Sequence, residues 1–378
     1  MTAEVESPTA ALRRYGQSIW LDFIRRSLIT SGDLARLVET EGVAGITSNP
    51  TIFEKAIDDS DDYSSSIRDI RNREPNLPAR QMYERLIGDD IRATADTLRR
   101  VYDRTEGGDG YVSLEVSPGV ANDTAATIAE ARHLWHLVDR PNLMIKVPGT
   151  EAGVPAVRAL IAEGINVNIT LLFGQERYEE VARAYIHGLQ DRAHNPAGAG
   201  PIGGLASVAS FFVSRIDTKV DALLGERMAA APASARAPLE QLLGKVAIAN
   251  ARLAYQRYKR LFSGAEWDAL AARGARKQRL LWASTSVKNP RFRDVVYVEE
   301  LIGPETINTM PLETLQAFRD HGRARPSLDA NVDESAGVLA ELAASGISLQ
   351  RVTDDLVVEG LKKFQEPFDK LLARLAPR

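Results

Sequence analysis

Short apolar, β-branched runs alternate along this chain with longer stretches in which apolar residues recur every three or four positions. The short runs predict strands at Ser18–Phe23, Gly45–Ser48, Tyr111–Val116, Leu143–Val147, Asn166–Leu172, Ala206–Phe212, Leu280–Ser284 and Thr306–Thr309. The longer stretches predict amphipathic helices, among them Asp33–Glu41, Ala79–Tyr102, Asp123–Val138, Gly174–Leu189, Pro238–Phe262 and Pro311–Asp320. Strands separated by helices from end to end point to the α/β class and to a (β/α)8 TIM barrel, rather than to a bundle or a sandwich. The Ala/Pro-rich stretch Met228–Pro238 and the basic stretch Arg273–Arg279 read as loops or insertions between barrel units. The tail predicts extra C-terminal helices at Val332–Ala344, Leu349–Phe364 and Pro367–Leu375, packed outside the barrel or closing one end. No break in composition marks a second domain, so residues 1–378 read as one barrel domain.

Lys146 interrupts this pattern. It lies in Asn142-Leu-Met-Ile-Lys-Val-Pro-Gly-Thr150, an apolar run bounded by Pro141 and by Pro148-Gly149, which reads as a fully buried strand. An ammonium group buried away from water and any partner is too costly to keep. Such a lysine pairs with a carboxylate, reaches solvent at the strand end, or lowers its pKa and becomes a neutral amine, a nucleophile for carbonyl carbon. The segment alone leaves these three open.

Nearly every predicted strand carries a polar residue at or near its C-terminal end. Asp22 closes the first, Asn49 follows the second and Glu115 lies in the third. Lys146 is in the fourth, Asn168 and Thr170 in the fifth, Ser210 in the sixth, and Ser284 closes the seventh. Barrel active sites form at the C-terminal ends of the strands, so these residues are expected to converge on one pocket. Asn168 and Thr170 are two apart and face the same way from a strand. Each has a plainer alternative: Asp22 as a helix cap, Asn49 before Pro50 as a turn residue, Ser210 and Ser284 as barrel-lining hydroxyls. Glu115 between Leu114 and Val116 has the weakest, because a buried carboxylate needs a partner.

Composition narrows the chemistry. The chain has 378 residues, a net charge of −4 and no cysteine, which removes disulfides, thiol nucleophiles and thiolate metal sites. The modest acidity gives no reason to expect nucleic acid or an anionic membrane as partner. The acidic start Met1-Thr-Ala-Glu-Val-Glu-Ser-Pro8 is unlike a signal peptide, and no apolar run is long enough to span a bilayer. A cytoplasmic location is the expectation, with monomer and homodimer both open. Gly198-Ala-Gly-Pro-Ile-Gly203 spells G-x-G-x-x-G, but it precedes a predicted strand, where the dinucleotide fingerprint must follow one. His133 and His136 share a helix without a third ligand in sequence and read as surface residues. Asn168-Ile-Thr170 is a formal glycosylation sequon in a predicted core strand.

At this point the segments resemble a known family. Gly45-Ile-Thr-Ser-Asn-Pro-Thr-Ile-Phe53, Val112-Ser-Leu-Glu-Val-Ser-Pro118, Leu143-Met-Ile-Lys-Val-Pro-Gly-Thr150, Asn166-Val-Asn-Ile-Thr-Leu-Leu-Phe173 and Thr306-Ile-Asn-Thr-Met-Pro311 resemble transaldolase, in order, from about residue 15 to 320. The length and the segment Trp282-Ala-Ser-Thr-Ser-Val-Lys-Asn-Pro290 are similar to the longer bacterial subgroup.

The resemblance implies transfer of a dihydroxyacetone unit from a ketose phosphate, such as fructose 6-phosphate or sedoheptulose 7-phosphate, to an aldose phosphate, within the pentose phosphate pathway. It implies that Lys146 forms a Schiff base with the donor, that Asp22 is the acid–base group, and that Glu115 and Thr170 hold a water during imine formation and hydrolysis. It further implies that Asn49, Asn168, Ser210 and Ser284 contact the dihydroxyacetone moiety, that Phe212 helps to keep the enamine dry, and that Arg215 binds phosphate. A second arginine is common after strand seven in the family; this chain has Ser284-Thr-Ser-Val-Lys-Asn289, so that role falls to Lys288. No metal or organic cofactor is expected. The alternatives are a fructose 6-phosphate aldolase-like enzyme, which shares the lysine but tends to carry tyrosine at the position of Phe212, and a non-catalytic sugar-phosphate-binding barrel.

Overall fold

A computed structural model describes residues 7–58, 60–194 and 200–377. Its centre is a closed barrel in which each strand pairs in parallel with the next and β8 returns to β1. The strands are β1 Gln17–Leu21, β2 Val43–Thr47, β3 Tyr111–Glu115, β4 Leu143–Pro148, β5 Val167–Leu172, β6 Ser207–Phe212, β7 Arg279–Ala283 and β8 Thr306–Met310. β2 to β6 and β8 are buried along their whole length. That explains why they read as continuous apolar runs and not as alternating ones. The (β/α)8 expectation holds.

Barrel closure depends on one small residue in β2. Gly45 faces Trp20 of β1, and a Cβ there would lie 2.3 Å from the indole Cε2. The indole is held at the N-terminal end of the barrel by a hydrogen bond from Nε1 to Asp109 Oδ1 at 2.6 Å. Ser18 also donates to Asp109, and Arg279 of β7 contacts both. This network is structural and lies at the end opposite to the one where barrel enzymes do chemistry.

Three expectations need correction. The helix predicted at Pro238–Phe262 is two, Ala233–Glu240 and Val246–Leu261, with Gly244 in the left-handed region between them. Asp221 accepts from the Gly244 amide and the buried Asp217 from the Ala247 amide, so two carboxylates satisfy the start of the second helix. Met228–Pro238 is largely helical, being shared by Ser214–Ala230 and Ala233–Glu240. The predicted break before Pro367 is absent, and Leu349–Leu375 is one helix of 27 residues. Pro367 cannot donate to the carbonyl of Lys363. Thr51 Oγ1 takes that place, donating to the Lys363 carbonyl at 3.4 Å. The tertiary contact replaces what the proline removes. Gly198 of the G-x-G-x-x-G string lies outside the described residues.

Candidate active site

The sequence placed polar groups at strand ends, and the register shows why they meet. Glu115 pairs with Lys146 across β3–β4, and Lys146 with Asn168 across β4–β5, so the three side chains sit at one level on one face. A bulge in β5 between Ile169 and Leu172, with Leu171 at φ 57°, follows directly after Thr170. Bulges beside active sites re-aim side chains. Ser284 makes the corresponding turn after β7 at φ 56°, its hydroxyl 3.0 Å from that of Ser214.

Lys146 is buried, and of the readings left open by the sequence the structure takes the paired one. Its Nζ lies 3.2 Å from Glu115 Oε2 and donates to the Ser48 carbonyl at 3.1 Å. The contact with Glu115 is an ion pair rather than an aligned hydrogen bond, and Glu115 Oε2 has no hydrogen-bond partner among the described residues. Thr170 Oγ1, on the strand to the other side of β4, is likewise buried without a partner. Burial holds the Glu115 carboxyl above the usual carboxylate range, opposed chiefly by the charge of Lys146.

Asp22 lies one residue past β1, its amide donating to the Met310 carbonyl at 2.8 Å. It caps no helix. Its Oδ1 accepts from Thr47 Oγ1 at 2.6 Å, and Thr47 is 2.8 Å from Thr309 Oγ1. Thr47 has one hydroxyl proton and gives it to Asp22, so Thr309 must donate to Thr47. Burial again raises the Asp22 carboxyl, against the pull of Lys146, the Thr47 hydrogen bond and Arg215.

Asp22, Asn49, Lys146, Ser210, Phe212 and Arg215 line a single cavity of about 640 Å³, together with Ser284 and Lys288. Glu115, Asn168 and Thr170 do not line it; they stand behind Lys146 in the barrel wall. Asn168 is fixed from both sides: its amide nitrogen donates to Ser113 Oγ at 3.0 Å and its oxygen accepts from Ser210 Oγ at 2.7 Å. Asn49 also serves as a turn residue, its side-chain oxygen accepting from the Ile52 amide at 3.0 Å. Lys288 is exposed at the rim and has no ion-pair partner among the described residues. His133 is an exposed outer-helix residue 2.9 Å from Glu84.

The sequence reading missed Thr47, Ser113 and Thr309. Thr47 had a usable signal, since it stands two before Asn49. It also missed Lys55, Lys363 and Phe364, which line the same cavity. The last two come from the helix Leu349–Leu375, whose docking no local pattern reveals.

A parallel barrel with a buried lysine paired to a buried carboxylate and sharing its cavity with a second carboxylate and several cations defines an enzyme site suited to carbonyl chemistry on anionic substrates. Comparison with known proteins agrees in kind. The family described as Transaldolase/Fructose-6-phosphate aldolase matches residues 19–375, and the chain belongs to it. Transaldolase 2 of Nostoc sp. is 48% identical over 368 residues, covering 96% of this chain and 95% of the relative. Transaldolase of Frankia alni is 46% identical, covering 98% and 97%, and Transaldolase of Thermobifida fusca is 47% identical, covering 98% of each.

Proposed function

We propose that this chain is a transaldolase of the pentose phosphate pathway that works through an imine on Lys146. The observation that carries the reading is the placement of Lys146, buried at the cavity floor with Glu115 3.2 Å away and Asp22 on the same cavity. To attack the C2 carbonyl of a ketose phosphate, the lysine must first lose a proton. Glu115 is the adjacent acceptor, and its burial favours taking one. In this reading a water held between Glu115 Oε2 and Thr170 Oγ1, neither of which has a hydrogen-bond partner among the described residues, carries protons while the carbinolamine loses water.

The protonated imine then acts as the electron sink. Asp22 removes the proton of the C4 hydroxyl, the C3–C4 bond breaks, and its electron pair enters the imine to give an enamine. The aldose phosphate leaves. When an aldehyde acceptor arrives, the enamine carbon attacks it and Asp22 returns the proton to the new alkoxide. Asn49, Ser210 and Ser284 supply polar contacts for the dihydroxyacetone unit, Asn168 acts from behind the cavity wall by holding the Ser210 hydroxyl, and the ring of Phe212 limits water at the enamine. Arg215 and Lys288 face the phosphate end. We read the chain as one domain acting in the cytoplasm, where sugar phosphates too charged to cross a bilayer are held.

The test measures triose release from fructose 6-phosphate, with and without erythrose 4-phosphate, in the presence of a chelator. Steady glyceraldehyde 3-phosphate formation only with the acceptor, together with borohydride trapping of a dihydroxyacetone adduct on Lys146, is the expected result. Steady release without acceptor would replace this reading with an aldolase. No release and no adduct would leave a binding barrel.

A further inference from the structure

The helix Leu349–Leu375 lies after the last strand and forms no part of the eight strand–helix units, yet it roofs one side of the active-site cavity. Several contacts hold it there. The Lys363 carbonyl, which Pro367 leaves without its helical donor, accepts from Thr51 at 3.4 Å. Glu359 accepts from Lys219 at 2.6 Å, Lys370 pairs with Glu54, and Arg374 pairs with Asp58. Gly360 lets the helix press onto the strand ends: a Cβ there would lie 2.8 Å from Leu171 Cδ2 and 3.7 Å from Arg215 Nη1.

This docking completes the surroundings of Arg215. Its guanidinium carbon is 5.0 Å from the ring centre of Phe212, on β6, and 5.9 Å from that of Phe364, on the C-terminal helix. Nη1 is buried without a hydrogen-bond partner among the described residues, and desolvation lowers the proton affinity of the group. Six cations and two carboxylates line the cavity. Glu115 answers Lys146, and Glu359 with Asp355 answers Lys219. Lys55, Lys288 and Lys363 have no ion-pair partner among the described residues, so the cavity carries an excess of positive charge open to an anionic ligand. Lys55 lies one helical turn beyond Thr51, the residue bonded to the Lys363 backbone, so both amines come from segments joined by that contact.

We propose that the C-terminal helix supplies the outer half of the phosphate site. Lys363 and Lys55 grip from outside the phosphate that Arg215 meets from inside, and Phe364 fixes the plane of Arg215. The inference rests on the reading that the substrates are sugar phosphates, and it assigns Lys363, Lys55 and Phe364 as specificity-determining residues.

The experiment compares the wild type with Lys363→Met, Lys55→Met and the double variant in two assays. Calorimetry measures the affinity for inorganic phosphate. Kinetics at saturating donor give the ratio of kcat/KM for erythrose 4-phosphate to that for unphosphorylated erythrose. Each single variant is expected to weaken phosphate binding and lower the ratio about tenfold, the double variant further, as for loss of one charge-assisted contact each. Lys363→Arg should retain most of both. An unchanged phosphate affinity in the double variant, or an equal loss on both acceptors in Lys363→Met, would overturn the proposal. If the wild type transfers to neither acceptor, the transaldolase reading fails while calorimetry still decides the anion site.

Discussion

Lys146 and Glu115 form a buried ion pair at 3.2 Å, with side chains 4% and 2% exposed. Breaking such a pair by removing one charge leaves the other stranded, at a cost on the order of 3 kcal/mol. Glu115→Gln strands Lys146 but also removes a carboxylate that burial disfavours, so the two effects offset and denaturant titrations should show a loss well below that amount. The substitution should also slow imine formation by about 10² to 10⁴-fold, the range of general acid–base catalysis. Rapid-quench borohydride trapping separates imine formation from carbon–carbon cleavage. Cleavage slowed more than imine formation would sink the role given to Glu115.

Thr47 sets the charge balance at Asp22. Its hydroxyl donates at 2.6 Å to a carboxyl already raised by burial, while Lys146, Arg215 and Glu313 act on the same group from other elements. A donated hydrogen bond favours the carboxylate, so Thr47→Val raises the carboxyl further. In the proposed mechanism Asp22 is the base of the cleavage step and must be ionised. The acidic limb of the kcat/KM profile should thus move to higher pH, with activity on that side falling about tenfold. Thr47→Ser restores the donor and should restore the profile. A limb that stays in place in Thr47→Val while activity falls at all pH values would reduce Thr47 to a packing residue.

Gly45 is predicted to tolerate no side chain. The Cβ of Gly45→Ala would lie 2.3 Å from an indole that is 1% exposed and tied to Asp109. A shift of the buried ring would strain that bond, so the cost is about 3 kcal/mol, the upper end for overpacking. Urea titration should show a lower midpoint with an unchanged slope. A midpoint at the wild-type value would mean that the barrel wall yields more easily than its packing implies.

Much of this architecture was legible along the chain because it is local. Buried parallel strands are continuous apolar runs, so a lysine or glutamate inside one stands out, and the barrel rule brings the strand ends together. Lys146 and Glu115 were visible for that reason. Thr47 and Thr309 were not, since a threonine in a strand is ordinary and becomes significant only when its hydroxyl is found in a chain ending on Asp22. The C-terminal helix was hidden more deeply. Pro367 argues locally for a break, and only the Thr51 hydroxyl from a helix about 300 residues earlier makes the unbroken helix acceptable. Lys363 and Phe364 belong to the cavity through that long-range docking alone.

Asp22 should cost the fold stability at neutral pH. Its carboxyl is raised by burial, so the folded chain binds this proton more tightly than the unfolded chain does. The stability contribution is then fully present below the ordinary carboxylate range and is lost as pH rises through the raised value. Asn in its place carries no charge to desolvate, and its oxygen can still accept from Thr47. Asp22→Asn is expected to abolish transfer yet gain about 1 kcal/mol near neutrality, the scale of common stabilising substitutions. The gain should be smaller at about pH 4, where Asp22 is more nearly protonated in both states. Denaturant titrations of both proteins at the two pH values decide it. A variant less stable than the wild type at neutral pH would mean that attraction to Lys146 outweighs desolvation at Asp22.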